Sequence, residues 1–218
     1  MNYTQLTAAI CDYTQNFEQE FVANIPVFVQ QAEQRIYNTV QFPSLRSNVT
    51  GITSASNKYL SCPGDFLATY SMAVIDASGN YEYLLNKDVN FIRQAYPNPT
   101  STGIPKYYAI FGPATADSKE LTFILGPTPD AAYSVELHYY YYPESIVTAS
   151  TTWLGDNFDT VLLYGTLVEA VTFMKGEADM VALYDGKYKE ALALAKRLGD
   201  GLERQDAYRS GQFRQAVT

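Results

Sequence analysis

Charged side chains are scarce in this chain of 218 residues, in which Asp, Glu, Lys and Arg together make up 17%. The formal net charge of −8 argues against sequence-independent binding to nucleic acid, because such binding needs clustered cations on phosphates. No apolar run approaches the ~20 residues that a membrane-spanning helix needs. Hydrophobic residues nevertheless reach 47%, so we expect a soluble, compact protein with its own core and no membrane partner.

Cysteine and histidine are nearly absent, with two cysteines and one histidine. Cys11 and Cys62 lie far apart and form no metal-ligand spacing, so free buried thiols are expected rather than a disulfide. The polar N-terminal segment has no signal-peptide pattern, which favours synthesis in a reducing cytoplasm. His138 lies in an apolar, aromatic run without a nucleophile pattern, and we expect it to be structural.

Motifs of common enzyme classes are also missing. The chain has no phosphate loop, no strand-linked dinucleotide fingerprint and no hydrolase elbow. Its carboxylates at Glu169, Glu177, Asp179 and Asp185 have the mixed spacings typical of solvated helix faces, although two distant carboxylates could still meet in the fold. The sequence therefore predicts a protein that is not an enzyme and has no cofactor or metal.

Tyrosine, by contrast, is abundant, with 19 residues. Tyrosine is favoured at protein interfaces because it joins a large apolar area to a polar tip. It is equally favoured on the faces of β-sheets. Both interpretations are open at this point.

The first of four predicted segments is a helical hairpin at residues 1–43. Leu6, Ile10, Tyr13 and Phe17 recur at helical spacing and form the apolar stripe of one helix. A second helix is predicted to begin at Asn24 as N-cap. Its apolar stripe consists of Ile25, Phe28, Val29, Ala32, Ile36 and Val40, and Phe42-Pro43 ends it.

An antiparallel β domain is predicted at residues 44–150, because turn sequences alternate there with short β-prone runs. These runs are Lys58 to Ser61, Thr69 to Ile75, Tyr81 to Leu85, Lys106 to Phe111, Leu121 to Leu125 and Tyr133 to Tyr142. Ala77 to Asn80 has the composition of a hairpin loop. The proline-rich segment from Tyr96 to Pro105 is expected to be exposed and extended.

Helices return at residues 151–205, and residues 206–218 form a predicted C-terminal tail. Asp156 is predicted to cap the first of these helices, whose apolar positions are Val161, Leu162, Gly165, Val168, Val171 and Thr172. A further helix from Glu177 is expected to direct Met180, Leu183, Tyr184, Leu192, Ala195 and Leu198 toward a core, and to fade after Leu202. Neither the N-terminal nor the C-terminal helix pair can bury its apolar stripes alone, but the four helices packed together can. This predicts an α+β fold: a helical bundle built from the N- and C-terminal helices, with the β domain inserted.

A series of short motifs connects the β region to the C-terminal helices. They comprise Tyr139 to Pro143, Trp153-Leu154, Asn157-Phe158, Leu162 to Gly165, Glu169-Ala170, Phe173, Ala178-Asp179, Tyr184, Tyr188 and Ala191-Leu192, with Cys62 to Leu67 and Gly103 to Tyr108 upstream. Through them the chain resembles the head-to-tail adaptor proteins of short-tailed phages, the tail tubular protein A-like family. Cys62 departs from the leucine that is more usual there.

The resemblance implies a bacteriophage virion structural protein with the same α+β arrangement. Such an adaptor forms a homo-oligomeric ring, a dodecamer matching the portal protein, and connects the portal to the tail nozzle protein and in some cases to tail fibres. It lines the DNA exit channel, through which genomic DNA passes without specific binding. The implied location is the neck of the virion, after synthesis in the host cytoplasm.

Two segments are candidate contact sites. The C-terminal tail offers two aromatic anchors and two cations at Tyr208, Arg209, Phe213 and Arg214, and related adaptors engage the portal through C-terminal segments. A fraying terminus is the alternative. Tyr96, Pro97, Pro99 and Pro105 are candidates for a tail or subunit contact, since prolines lower the ordering cost of binding.

Two other functions remain open from the sequence. One is another phage head-completion or tail-tube component of related design. The other is a carbohydrate-binding module, suggested by the tyrosines at 139–142 and by Trp153. Strand alternation places Tyr139 and Tyr141 on one face and Tyr140 and Tyr142 on the other, which fits a single sugar platform poorly.

Overall fold

The computed structural model describes residues 1–98, 100–112 and 120–210, apart from the side chains of Pro43 and of residues 199–210. The chain divides into two compact units. One contains Met1–Leu45 and the chain from Tyr142 onward, and it is a bundle of helices. The other, Arg46–Tyr141, is built on two β-sheets. The predicted fold class, α+β with a β region inserted into a helical bundle, is confirmed.

The elements are numbered in chain order. The helices are α1 (Tyr3–Thr14), α2 (Gln19–Thr39), α3 (Val89–Ala95), α4 (Ile146–Ala149), α5 (Trp153–Asn157), α6 (Asp159–Phe173) and α7 (Ala178–Ser210). The strands are β1 (Arg46–Ile52), β2 (Tyr59–Ser61), β3 (Phe66–Ile75), β4 (Tyr81–Tyr83), β5 (Leu85–Asn86), β6 (Tyr107–Phe111), β7 (Thr122–Gly126) and β8 (Ser134–Tyr141). Within the described residues, no helix has both the length and the apolarity to cross a membrane.

Helix α6 is the centre of the bundle and packs against α1, α2, α5 and α7. Its sequence is apolar on most sides, which is typical of a helix surrounded by others. Gly165 allows the closest approach: a Cβ added there would lie 3.1 Å from the Tyr188 ring and 3.4 Å from the Cβ of Ala32. The ring of Phe42 closes one part of the core against Trp153 and Phe158, with both centroid distances at 5.3 Å.

The buried stripe of α2 is the predicted one, with Ile25, Val29, Ala32 and Ile36 fully buried. The stripe predicted for α1 is only half correct. Leu6 and Ile10 are fully buried, whereas Tyr13 is half exposed and Phe17 lies beyond the end of the helix, 65% exposed. The helix stops at Thr14 because Gln15 turns the backbone into the left-handed region, with φ of 48°.

Two predicted helix starts are wrong. Helix α2 begins at Gln19, not at Asn24, whose side-chain amide donates to the Glu20 carbonyl inside the helix. Pro26 therefore lies well within α2. Asp156 does not cap α6 but belongs to the short helix α5, whose N-cap Thr152 accepts a hydrogen bond from the Gly155 N–H.

Helix α7 differs most from its prediction. The side chains that pack inward are Tyr184, Tyr188, Ala191 and Ala195, at steps of four, three and four. Met180, Leu183 and Leu198, which were expected in the core, are 40%, 53% and 48% exposed. The helix also continues to Ser210 rather than fading after Leu202, so residues 206–210 of the predicted tail are helical.

A buried carboxylate anchors the chain where it re-enters the bundle. Glu33 of α2 is 3% exposed and accepts a hydrogen bond from the Ile146 N–H at 2.9 Å, at the start of α4. Burial raises the pKa of Glu33, while the hydrogen bonds from Ile146 and Ser145 oppose that rise. The carboxylate thus satisfies a helix N-terminus that would otherwise be buried without a partner.

The β unit contains two four-stranded sheets with orders β1-β8-β3-β4 and β2-β7-β6-β5. Every pair in the first sheet is antiparallel, and Arg46↔Tyr140 and Val49↔Leu137 fix the register of β1 on β8. The core contains Met72, Val74, Phe123, Leu125, Val135, Leu137 and Tyr139. The hairpin predicted at Ala77 to Asn80 is present between β3 and β4, with Gly79 at φ of 85°.

Three features of the β unit were not predicted. Residues 46–52 form strand β1, although Asn48 to Gly51 has the composition of a turn, because they pair with β8 along their whole length. Helix α3 interrupts the expected all-β pattern; Asp88 caps it, and Val89, Ile92 and Tyr96 pack at helical spacing. The pair β5–β6 is parallel, since α3 lies between those strands in sequence.

Candidate interaction surfaces

No group of His, Cys, Asp and Glu side chains in the part of the chain that the structure describes could hold a metal ion. His138 lies on β8, 3.8 Å from the Glu136 carboxylate and 3.4 Å from the Ser71 hydroxyl. The His138 side chain is 46% exposed on the outer face of the sheet. Neither of these two contacts, Glu136 and Ser71, is a thiol or a lysine. The features that remain to be explained are therefore surfaces and clefts.

Both cysteines are free and buried, as predicted. Burial raises the pKa of Cys62 to about 12, with a smaller contribution from Glu120. Cys62 borders an apolar cleft of about 230 Å³, together with Val49, Leu60, Met72 and Phe123. A thiol in this surrounding stays protonated at neutral pH and is not a nucleophile.

The segment predicted for a tail or subunit contact divides into two parts. Tyr96 ends α3 and packs against the Tyr107 ring at 6.4 Å, and Pro97 beside it is exposed. Thr102 forms a bridge with Thr128, and Pro105 is buried. The expectation that the whole segment is exposed is therefore wrong at Pro105, while Pro99 lies outside the described residues.

The four residues predicted to contact a portal are at the C-terminal end. Tyr208 and Arg209 belong to the last turn of α7, and their side chains are outside the described part. Phe213 and Arg214 lie outside the described residues altogether. Their role as a portal contact stays a prediction.

A cleft of about 270 Å³ lies between α3 and the sheet β2-β7-β6-β5. Ile92, Ile124 and Leu125 supply apolar lining, and Tyr59, Tyr96 and Pro97 line it as well. Two cations complete the lining, Lys58 and Arg93. Tyr96 and Pro97 stand out in the sequence as candidate contact residues, whereas these two cations do not. Their signal was weak: each is a single basic residue near tyrosines in an acidic chain.

The outer face of the other sheet is rich in aromatic rings. The Arg46 guanidinium lies 4.9 Å from the Tyr70 ring and 5.8 Å from the Tyr140 ring, in cation–π geometry. On the edge strand β4, Tyr81 and Tyr83 stack with a centroid distance of 6.4 Å. Tyr83 is 71% exposed, so this edge offers apolar area that the described part of the chain leaves uncovered.

The bundle also leaves apolar side chains uncovered. Leu183, Leu194 and Leu198 of α7 are about half exposed beside the stripe that packs on α6. On α2, Arg35 pairs with Glu169 of α6 and stacks over Tyr188 at 5.8 Å. Both units therefore carry surfaces suited to contact with other proteins.

Comparison with known protein families agrees with this picture. The family described as SU10 adaptor protein matches residues 1–215 of the 218. No curated protein matches the chain.

Proposed function

The chain belongs to the SU10 adaptor protein family, and from that premise we propose that it forms the ring that joins the portal to the tail nozzle of a phage particle. The family makes it a phage structural adaptor and a virion component. The ring, its position at the neck and its two neighbours are the proposal. The family match along almost the whole chain is the observation that carries it.

Exposed apolar side chains on both units support a role in assembly. Phe17 of the bundle is 65% exposed, and Ile52 and Tyr83 of the β unit are 70% and 71% exposed. Tyr83 stacks with Tyr81, which is 51% exposed, and grouped exposed rings of this kind mark protein contacts. A ring of adaptors would cover such groups through lateral contacts between copies.

The charge of the chain suits a channel through which DNA moves. A net charge of −8 disfavours DNA binding, because protein cations would have to replace the counterions that surround the DNA phosphates. Genomic DNA would pass such a lining without specific contacts. The proposed ring is a dodecamer, following the resemblance to adaptors whose copy number matches the portal.

The portal is proposed to contact the C-terminal segment with Tyr208, Arg209, Phe213 and Arg214. The tail nozzle, a fibre or a neighbouring copy is proposed to contact the segment with Tyr96, Pro97, Pro99 and Pro105. A tail-tube or head-completion protein is the alternative of related design. The sugar-binding interpretation is not retained, because Tyr139 is buried in the core and donates a hydrogen bond to Asp65.

Co-assembly with the portal protein of the same phage tests the proposal. Purified portal rings and this protein are mixed, and the mass and images of the complex are recorded. We expect a closed ring of adaptor copies on one end of the portal. If the protein binds no portal but polymerises into tubes or joins a tail-tube protein, the alternative is correct.

A further inference from the structure

The strongest unexplained site is the cleft between α3 and the sheet β2-β7-β6-β5. Two cations, Lys58 and Arg93, line it in a protein with a net charge of −8. Neither forms an ion pair with a carboxylate within the described ranges. The Lys58 ammonium lies 5.3 Å from the Tyr59 ring, so its contact in the isolated chain is aromatic.

The chemistry of the cleft selects an aromatic side chain beside a carboxylate. Ile92 and Ile124 offer apolar contact, while Tyr59 and Tyr96 offer ring faces and edges. Lys58 and Arg93 would pair with a carboxylate at the rim. A volume of about 270 Å³ is small for a drug-sized ligand and suits a single inserted side chain.

The same unit carries a matching segment. Strand β4 has the sequence Tyr-Glu-Tyr, and all three residues, Tyr81, Glu82 and Tyr83, are exposed. It is the edge strand of its sheet, so one side of its backbone has no strand partner in the order of that sheet. Strand alternation sends Tyr83 and Glu82 to opposite sides of the strand. When Tyr83 enters the cleft, Glu82 therefore lies outside it, where only the long side chains of Lys58 and Arg93 at the rim can reach its carboxylate.

The positions of the two surfaces indicate how copies would meet. In the sheet β2-β7-β6-β5, Tyr59 begins the edge strand β2 and Lys58 directly precedes it, whereas β5 is the opposite edge. Strand β4 ends at Tyr83, directly before β5 begins at Leu85. The cleft and its complement thus lie toward opposite edges, as a head-to-tail contact between identical copies requires.

We propose that the β4 edge of one copy docks into the cleft of the next copy, with Tyr83 inserted between Tyr59 and Tyr96 and Glu82 paired with Lys58 and Arg93. This contact rests on the proposed ring and identifies its lateral interface in the β unit. Repetition of one heterologous contact around a closed circle needs no second type of contact in this unit.

A charge exchange tests the contact. The variant with Lys58→Glu and Arg93→Glu is mixed with portal rings, and the number of bound copies is measured by native mass spectrometry. Reversal of both charges places like charges opposite Glu82. We expect a loss of about tenfold or more in fully occupied rings, with scattered, partly occupied portals instead. Adding Glu82→Lys to this variant should restore complete rings.

The matched control carries Lys106→Glu and Lys196→Glu, two exposed cations outside the cleft that change the net charge equally. It should assemble like the unchanged protein, and thermal melts should show that all variants fold. Complete rings from the cleft variant, or failure of Glu82→Lys to rescue them, would overturn the β4 contact and leave the adaptor ring standing. If the unchanged protein forms no ring on the portal, the proposed function fails and the lateral contact fails with it.

Discussion

At the scale of the residue, Glu33 is the side chain whose chemistry is most constrained. It is a carboxylate with 3% exposure that holds the first N–H of α4. Its folded-state pKa is raised by burial, so the folded protein binds a proton that the unfolded chain has released. The free energy of unfolding contributed by Glu33 therefore falls as the pH rises from the ordinary carboxyl pKa through the raised one.

Two substitutions separate the hydrogen bond from the charge. Glu33→Ala leaves the Ile146 N–H without a partner and should lower the free energy of unfolding by about 2 kcal/mol. Glu33→Gln keeps an acceptor without a charge, so its stability relative to the wild type should increase as the pH rises through that window. Urea unfolding at a series of pH values measures both. Parallel curves for Glu33→Gln and the wild type would show that the pKa of Glu33 is the same in the folded and the unfolded states.

At the scale of the element, α7 is more than twice as long as the central helix α6. It has 33 residues against 15 for α6, and the last buried side chain described on it is Ala195. Deletion of residues 206–218 removes none of the buried side chains that the structure describes, and it should leave the melting temperature within a few degrees of the intact protein, while portal binding is lost. The shorter deletion of residues 211–218 shows which part binds. A normal complex from the longer deletion would place the portal contact elsewhere on the bundle.

The elements also show how far the sequence could predict this protein. Apolar residues at helical spacing predicted α2 and α6, because a helix that buries one continuous face has apolar residues along that face. The prediction that Met180 and Leu183 of α7 face the core was wrong. The sequence around an apolar residue does not indicate whether another element of the fold will pack against it. Strand β1 was hidden because Asn48 to Gly51 form a strand only through pairing with β8, distant in sequence.

The candidate site was predictable only in part. Tyr96 and Pro97 stood out by composition, and they do line the cleft. Lys58 and Arg93 could not be joined to them from the sequence, because β2, α3 and β7 meet there only after the chain has folded. The register of a sheet and the placement of a short helix on it are tertiary information.

At the scale of the whole molecule, the chain passes from the bundle into the β unit through β1 and leaves the β unit through β8, and these two strands are adjacent. Arg46 at the start of β1 pairs with Tyr140 near the end of β8, so the two ends of residues 46–141 lie side by side. A fragment of these residues should fold alone, because its core of Phe123, Val74 and Leu137 is its own. Circular dichroism should show a sheet spectrum and one cooperative thermal transition. A fragment without such a transition would mean that the bundle is needed for its stability.

The two buried thiols determine how the protein responds to oxidants. Burial raises the pKa of both Cys11 and Cys62, so neither offers a thiolate to an oxidant at neutral pH. If the protein is made in a reducing host cell and released by lysis into aerated water, as the proposed function implies, it would cross that change of redox environment with its covalent structure unaltered. A thiol reagent such as a dithiobenzoate should find no reactive sulfur in the native protein and two after denaturation, whereas rapid labelling of the native state would show that the shielding is incomplete. Protection by burial would let a virion component persist outside the cell without the disulfides on which secreted proteins depend.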